Sequence, residues 1–266
     1  MTDKRNQPCP CGSGKRYKKC CGFSGGTAAV AETWAAHEKA DGTLAAEKLF
    51  QMGLAAAGQK RFKEAEASFR RALAIKPDLT EAHYNLGVIL ETLGSADRAK
   101  ACYQQALEHD PAYINALINL GCILMEQGKM EEAFSTFLRA LNVQPDNAVV
   151  HYNLGGILKE QGRMDEAIPW FKKALTLKPD YGAAYKSLAL IVKFTEADDL
   201  IHAMEDLYNK KGDLSDTDLI HLVFALGKAF EDLRDYSRSF DFILEANRLK
   251  RRMYKYSLNG TRRNCI

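Results

Sequence analysis

The first 21 residues hold the side chains with the clearest capacity for chemistry, four closely spaced cysteines. Cys9, Cys11, Cys20 and Cys21 are four of the seven cysteines in the chain, and thiolates at this density suit a tetrahedral structural zinc ion. In a chain without a secretory signal, clustered thiols indicate metal ligands rather than disulfides. We therefore expect these four side chains to bind one structural zinc ion as the only cofactor of the chain.

The spacing of these cysteines within PCPCGSGKRYKKCCG resembles the SEC-C motif, which is known from the C-terminus of the SecA translocation ATPase. All four cysteines match ligand positions of that motif, although many members have His where Cys21 stands. The resemblance implies a small zinc-binding module over residues 1–24. Two alternatives stay open: a tail that binds no metal, and an incomplete site, since the adjacent Cys20 and Cys21 can point apart.

A unit of 34 residues recurs through the middle of the chain. Each unit has an amphipathic segment, here named helix A, a turn, and a second amphipathic segment, helix B, that ends before a proline. Glycine supplies the permissive backbone of the turn, and the proline forces the preceding residue out of helical geometry. Small residues at the eighth and twentieth positions let the two helices approach each other. The four units are residues 46–79, 80–113, 114–147 and 148–181.

This pattern resembles the tetratricopeptide repeat (TPR), with matches at the eighth, twentieth, twenty-seventh and thirty-second positions of all four units. The resemblance implies an all-α fold, a right-handed superhelical solenoid of antiparallel helix pairs with one concave and one convex face. Residues 182–253 are predicted to be degenerate repeats that close the array, with one further helix starting at a capping-box-like segment from Thr195 to Asp198 and another capped by Ser215. Residues 25–45 are predicted to be a linker with one helix around Trp34, and residues 254–266 a basic tail.

The TPR resemblance also implies that the second, fifth, sixth, ninth and twelfth positions of helix A face the concave surface. Amides recur at the sixth position, and because an amide both donates and accepts, a row of amides can bind a peptide backbone of any sequence. Aromatic and apolar neighbours suit an extended peptide or a helix. The alternative is that the asparagines pack or cap locally. The predicted peptide-binding residues are Gln51, Tyr84, Asn85, Asn119, Tyr152 and Asn153, flanked by Phe50, Val88, Ile118, Cys122, Lys159 and Ser187.

Catalytic motifs are missing from the sequence, since it holds no HExxH segment, no Ser-His-Asp order and no dinucleotide fingerprint. His83 and His151, at the fourth repeat position, are expected to pack rather than to act as bases. The segment 224–251 resembles the junction region of bacterial TPR-sulfotransferase proteins, in which a catalytic domain follows. Only fifteen residues follow Arg251, so we expect no enzymatic activity.

The leading hypothesis is therefore a scaffold or adaptor that binds a protein or peptide in the TPR groove. The alternative is the substrate-recognition portion of a truncated TPR-sulfotransferase or a similar protein-modifying enzyme.

Charge is distributed unevenly along the chain, although the formal net charge is only +3. Residues 1–22 carry six Lys and Arg against one acid, and residues 248–266 carry seven and no acid. These basic ends suit weak contact with nucleic acid or with an acidic surface. No apolar run approaches the roughly 20 residues that span a bilayer, and the N-terminus lacks the apolar core of a signal peptide. We expect a cytoplasmic chain with no membrane span.

Overall fold

The computed structural model describes the backbone of residues 28–196 and 198–262, and the side chains of residues 42–196 and 198–253. The predicted zinc module over residues 1–24, with Cys9, Cys11, Cys20 and Cys21, lies outside the described residues. Over the part that is described, every regular element is a helix, so the prediction of an all-α fold is confirmed. None of the described helices combines the length and the apolar character that crossing a bilayer requires.

The described residues form twelve α-helices, of which the first eight are four consecutive pairs that correspond to helix A and helix B of the four repeats. A single 3-10 turn at Lys211–Asp213 separates the tenth helix from the eleventh. The helices are α1 (Ala28–Gly58), α2 (Phe62–Ile75), α3 (Thr80–Thr92), α4 (Ala96–His109), α5 (Ile114–Glu126), α6 (Met130–Val143), α7 (Ala148–Glu160), α8 (Met164–Leu177), α9 (Gly182–Ala189), α10 (Asp199–Asn209), α11 (Asp216–Asp232) and α12 (Tyr236–Arg262).

The chain divides into two compact units, residues 1–116 and residues 117–266. In the first unit, α1 packs on α2 and α3 packs on both α2 and α4. In the second unit, α7 packs on α8, and α11 packs on α9, α10 and α12. The core of the second unit runs through α8, α9, α10 and α11, where Phe171, Met204 and Phe230 are fully buried.

The turns between paired helices adopt the left-handed backbone that the sequence predicts. Gly94, Gly128 and Gly162 have φ values of 74°, 72° and 76°, a region that glycine enters without steric penalty. Lys60 and Arg234 occupy the same turn position in the first and last pairs, with φ values of 59° and 62°. A side chain in this conformation costs on the order of 1 kcal/mol, so helix pairing determines the turn geometry even without glycine.

Helix B ends just before the proline of each repeat, as the sequence predicts. In each of the four repeats, the last helical residue lies two positions before the proline, because the intervening residue is pushed into an extended conformation. The final residues of the four B helices are Ile75, His109, Val143 and Leu177.

Close contact between the paired helices is made by a ring lying against a glycine. The aromatic residue at the twenty-fourth repeat position is fully buried in all four repeats. A Cβ atom added to the glycine at the eighth position would lie 2.5 to 2.9 Å from the nearest ring atom, closer than real Cβ contacts allow. The predicted role of these small residues is confirmed. The pairs are Gly53 and Phe69, Gly87 and Tyr103, Gly121 and Phe137, and Gly155 and Phe171.

The histidines at the fourth position stabilise the start of helix A. His83 donates from Nε2 to the carbonyl oxygen of Pro77 at 2.8 Å, and His151 donates in the same way to Pro145 at 2.9 Å. The His151 ring also lies 5.4 Å from that of Trp170. These contacts join the proline after one helix B to the next helix A, so the prediction that both histidines pack is confirmed.

The helix predicted around Trp34, within the linker predicted over residues 25–45, is present and is longer than expected. It begins at Ala28 and is continuous with helix A of the first repeat, since Ala, Glu and Lys dominate this stretch and favour a helix. The helix predicted to start at Thr195 instead begins at Asp199, although the Thr195 amide does donate to the Asp198 carboxylate at 2.6 Å. The predicted cap at Ser215 is confirmed, because its hydroxyl accepts from the backbone amide of Asp218.

We expect Gly155→Ala and Gly156→Ala, substitutions at adjacent positions of α7, to have opposite effects on stability. The new methyl at position 155 meets the Phe171 ring at 2.9 Å and should lower the free energy of unfolding by about 1–3 kcal/mol. At position 156 the nearest atom is the Met125 methyl at 3.9 Å, so the new methyl fits. The higher helix propensity of alanine should then raise the free energy of unfolding by up to about 1 kcal/mol.

Urea unfolding followed by circular dichroism measures both effects, with each variant compared with the unsubstituted chain. Equal unfolding midpoints for the two variants would contradict the ring-on-glycine account.

Candidate peptide-binding surfaces

The fifth and sixth positions of helix A lie beside the buried seventh and eighth positions, so they sit at the edge of each core. At the fifth and sixth positions of the second, third and fourth repeats, all six side chains are half-buried, neither enclosed nor fully exposed. Such side chains are held in place on one side and open to a partner on the other. They are Tyr84, Asn85, Ile118, Asn119, Tyr152 and Asn153.

In the first unit, Tyr84 of α3 belongs to an aromatic cluster. Its ring centroid lies 5.9 Å from that of Tyr103 and 5.2 Å from that of Tyr113. The amide nitrogen of the neighbouring Asn85 donates to the backbone oxygen of Glu81 at 2.7 Å. The side-chain nitrogen of Asn85 therefore bonds within its own helix, as the alternative of local packing or capping predicts.

In the second unit, Asn119 of α5 and Asn153 of α7 stand at equivalent positions of successive repeats. Asn153 Nδ2 lies 3.9 Å from Cys122 Sγ, in a weak hydrogen bond that joins α7 to α5. A thiol is a poor acceptor, so a backbone carbonyl is a stronger partner for the same N–H group. This amide can therefore change partners at little free-energy cost.

An aromatic pair lies beside these amides. The rings of Tyr152 and Tyr181 are 5.0 Å apart, and the ammonium group of Lys178 lies 4.9 Å above the Tyr181 ring. Burial, followed by the nearby Tyr152, Asp218 and Cys122, raises the pKa of Tyr181 well above its usual range. The phenol thus stays protonated through the physiological range and remains a hydrogen-bond donor.

Tyr181 was not among the predicted peptide-binding residues, because the TPR resemblance assigns partner-facing positions to helix A alone. It occupies the last position of its repeat, two residues after Pro179, and Tyr113 occupies the same position two repeats earlier. A tyrosine recurring after the proline was the signal that could have identified both residues.

A gap in the surface lies one turn along α7 from Tyr152. Gly156 lacks a side chain at the ninth repeat position, and a Cβ atom placed there would meet only the Met125 methyl, at 3.9 Å. The half-buried Lys159 stands three residues further on, with its ammonium 3.6 Å from the Glu160 carboxylate. The second unit therefore combines a gap beside the Met125 methyl, the weakly held amide of Asn153 and two phenol rings.

Two of the flanking candidates do not face a partner. Phe50 is buried and its ring centroid lies 5.7 Å from that of Phe69, so it belongs to the core of the first repeat. Ser187, which continues the sixth position into the degenerate repeat, is also buried because α9 is covered by α11. Gln51 is exposed, and its amide donates to Glu47 of the same helix at 2.9 Å.

The sequence predicts metal ligands only among the N-terminal cysteines. Among the described residues, no group of three or more His, Cys, Asp or Glu side chains is arranged to hold a metal ion. The described cysteines, Cys102 and Cys122, form no disulfide bond, and burial raises the pKa of the Cys102 thiol.

Family comparisons agree with the predicted TPR array and with the predicted SEC-C motif. Residues 43–149 match the family described as the cilia and flagella-associated protein 70 middle TPR-like domain. Residues 118–182 match the tetratricopeptide repeat family, and residues 5–23 match the SEC-C motif.

Curated relatives that include the SecA translocase subunit are similar to a short segment of this chain. The segment is 82% identical over 22 residues to the protein translocase subunit SecA of Sulfurovum sp. (strain NBC37-1), which is 8% of this chain and 2% of that protein. It is 90% identical over 19 residues to the uncharacterized protein YccF of Bacillus subtilis (strain 168), 7% of this chain and 5% of that protein. The match therefore spans only a few per cent of either relative.

Solved structures share the helical-repeat fold. PilF of Pseudomonas aeruginosa has a TM-score of 0.60 and 25% identity over 84% of this chain and 99% of its own. MamA has a TM-score of 0.51 and 22% identity over 70% of this chain and 97% of its own. YrrB, a TPR protein with an unusual peptide-binding site, has a TM-score of 0.50 and 16% identity over 73% of this chain and 89% of its own. Residues 43–149 and 118–182 are thus similar to tetratricopeptide repeat families within a helical-repeat fold, and residues 5–23 are similar to the SEC-C motif.

Proposed function

We propose that this chain is a protein-interaction scaffold that binds an extended peptide segment of a partner protein through its TPR faces. The observation that carries the proposal is the combination, in the second unit, of Asn153 with its weakly held amide, the Tyr152–Tyr181 pair and the gap at Gly156. A peptide needs backbone hydrogen-bond partners and a place for at least one apolar side chain, and this surface supplies both.

In the proposed complex, the amide of Asn153 exchanges the Cys122 thiol for a peptide backbone carbonyl. An apolar side chain of the partner enters the gap at Gly156, against the methyl of Met125. The Tyr152 and Tyr181 rings provide rigid contact area at a low cost in conformational entropy. Asn119 continues the amide row on α5, and in the first unit Tyr84 and Asn85 form a smaller surface of the same kind.

The second part of the proposal is a structural zinc ion held by Cys9, Cys11, Cys20 and Cys21. Four thiolates within a short segment form the donor set that tetrahedral zinc prefers. A bound zinc ion would supply folding free energy to a segment too short to build an apolar core. The similarity to the SEC-C segment of SecA supports this assignment.

Peptides selected from a random displayed library against the intact chain provide a probe for the TPR surface. For a fluorescein-labelled selected peptide, we expect Asn153→Ala to weaken binding by roughly 5- to 10-fold, as for one lost neutral hydrogen bond. Gly156→Leu should abolish binding because its side chain fills the gap. Fluorescence anisotropy measures both dissociation constants.

The matched control is Asn142→Ala, which removes an exposed amide at the C-terminal end of α6 and should leave affinity unchanged. The groove assignment fails if Asn153→Ala and Gly156→Leu bind the selected peptides as well as the unsubstituted chain does.

Zinc content tests the second part independently of peptide binding. The purified chain should contain about one equivalent of zinc by mass spectrometry, and Cys9→Ser should contain substantially less. Cys102→Ser is the control, because it removes a thiol outside the predicted site and should retain the metal. A metal-free chain, or a Cys9→Ser variant with full zinc content, would refute the zinc module.

A further inference from the structure

The charges at the partner-facing positions of helix A differ between the earlier and the later repeats. The TPR resemblance assigns the second, fifth, sixth, ninth and twelfth positions to the concave surface. On α1 and α3 these positions hold three glutamates and no base, whereas on α7 and α9 they hold two lysines and no acid. A partner that contacts the later helices therefore meets only positive charge at these positions. The glutamates are Glu47, Glu81 and Glu91, and the lysines are Lys159 and Lys186.

Lys186 occupies the fifth position of α9, the position that Tyr152 occupies on α7. Lys186 is half-buried, and its ammonium nitrogen lies 5.9 Å from the centroid of the Phe224 ring of α11. No carboxylate among the described residues forms a salt bridge with this ammonium. A half-buried charge has lost part of its hydration, and this one has gained no ion-pair partner in return within the described part of the chain.

Asp218 of α11 is the acid that acts on this region, but both of its carboxylate oxygens bond elsewhere. Oδ1 accepts from the backbone amide of Gly182 at 3.1 Å, and Oδ2 accepts from the Ser215 hydroxyl at 2.7 Å. Asp218 thus joins the start of α9 to the start of α11 and leaves the Lys186 ammonium without a direct contact.

His221 lies close enough to Lys186 to be affected by its charge. Burial, followed by Lys186, lowers the pKa of His221, with Lys250 acting in the same direction and Asp218 against it. The imidazole is therefore neutral at neutral pH, and its enclosed Nδ1 has no hydrogen-bond partner within the described residues. The Asp218 carboxylate also acts on Tyr181, so the phenol pair and Lys186 share one electrostatic neighbourhood.

We propose that the peptide bound by the second unit carries an aspartate or glutamate whose side-chain carboxylate pairs with the Lys186 ammonium beside the Phe224 ring. This inference rests on the proposed peptide binding and adds a charge preference to it. A carboxylate supplies acceptors for the ammonium donors, and partial burial makes such a pair stronger than one in bulk water. Lys159 favours the same sign of charge, weakened by the exposed Glu160 carboxylate 3.6 Å away.

Two selections from one random peptide library test this preference. The peptides are displayed with their C-termini fused to the carrier, so that only side chains can supply a carboxylate. Peptides selected by the unsubstituted chain should be enriched in Asp or Glu at one position. Peptides selected by Lys186→Glu should instead be enriched in Lys or Arg at that position, because the charge they meet is reversed. Circular dichroism confirms that the variant is folded.

A double-mutant cycle, measured by fluorescence anisotropy, then assigns the contact to Lys186. In a selected peptide with an amidated C-terminus, replacing the enriched acid by its amide should weaken binding by roughly 3- to 10-fold, as for a partly exposed ion pair. Lys186→Met keeps an unbranched stem beside Phe224 and removes the charge. It should weaken binding of the acidic peptide by the same factor and leave binding of the amide peptide unchanged. Lys173→Met on α8, which removes a lysine 3.7 Å from the exposed Asp146, is the control and should change neither affinity.

The possible failures separate this inference from the proposed function. The inference alone is overturned if the selected peptides bind without acidic enrichment, or if the cycle gives no coupling between Lys186 and the peptide acid. A library that yields no binding peptide, or peptides whose affinity Asn153→Ala and Gly156→Leu leave unchanged, would overturn the proposed function and this inference with it.

Discussion

The contact between a ring and a glycine inside each helix pair is the constraint on which the other features of this chain depend. In four successive repeats a fully buried ring lies where the glycine's missing side chain would be, as Phe171 does against Gly155. This contact sets how closely helix A and helix B approach. Close approach in turn places the seventh and eighth positions in the core and leaves the fifth and sixth positions at its edge, where they can meet a partner.

The chemistry of the edge differs between repeats because nothing in the core dictates it. Asn85 donates to its own helix, whereas Asn153 donates weakly to Cys122 of a neighbouring helix. Gly156 leaves a gap at the ninth position, where the preceding repeat has Cys122. A constant core with variable edges lets one repeat type present different surfaces, and the surface of the second unit is the one that we propose binds a peptide.

Local rules were enough to predict most of the fold from the sequence. The 34-residue period, the turn glycines and the prolines fixed where the helices end, and the small residues identified the helix contacts. The same rules failed for Phe50 and Ser187, which are buried by partners that repeat position alone does not identify. Tyr181 was missed because its role depends on a ring that approaches from the preceding helix A. The zinc module, the absence of enzymatic activity and the resemblance to TPR-sulfotransferases remain predictions.

The central claim is that the amides on helix A of the second unit contact the backbone of a bound peptide. Nuclear magnetic resonance of the asparagine side-chain amides tests it directly, with signals assigned by Asn→Asp substitution. On addition of a selected peptide, the signals of Asn119 and Asn153 should shift while that of Asn142 should not. Saturating peptide that leaves both groove amides unshifted would contradict the claim.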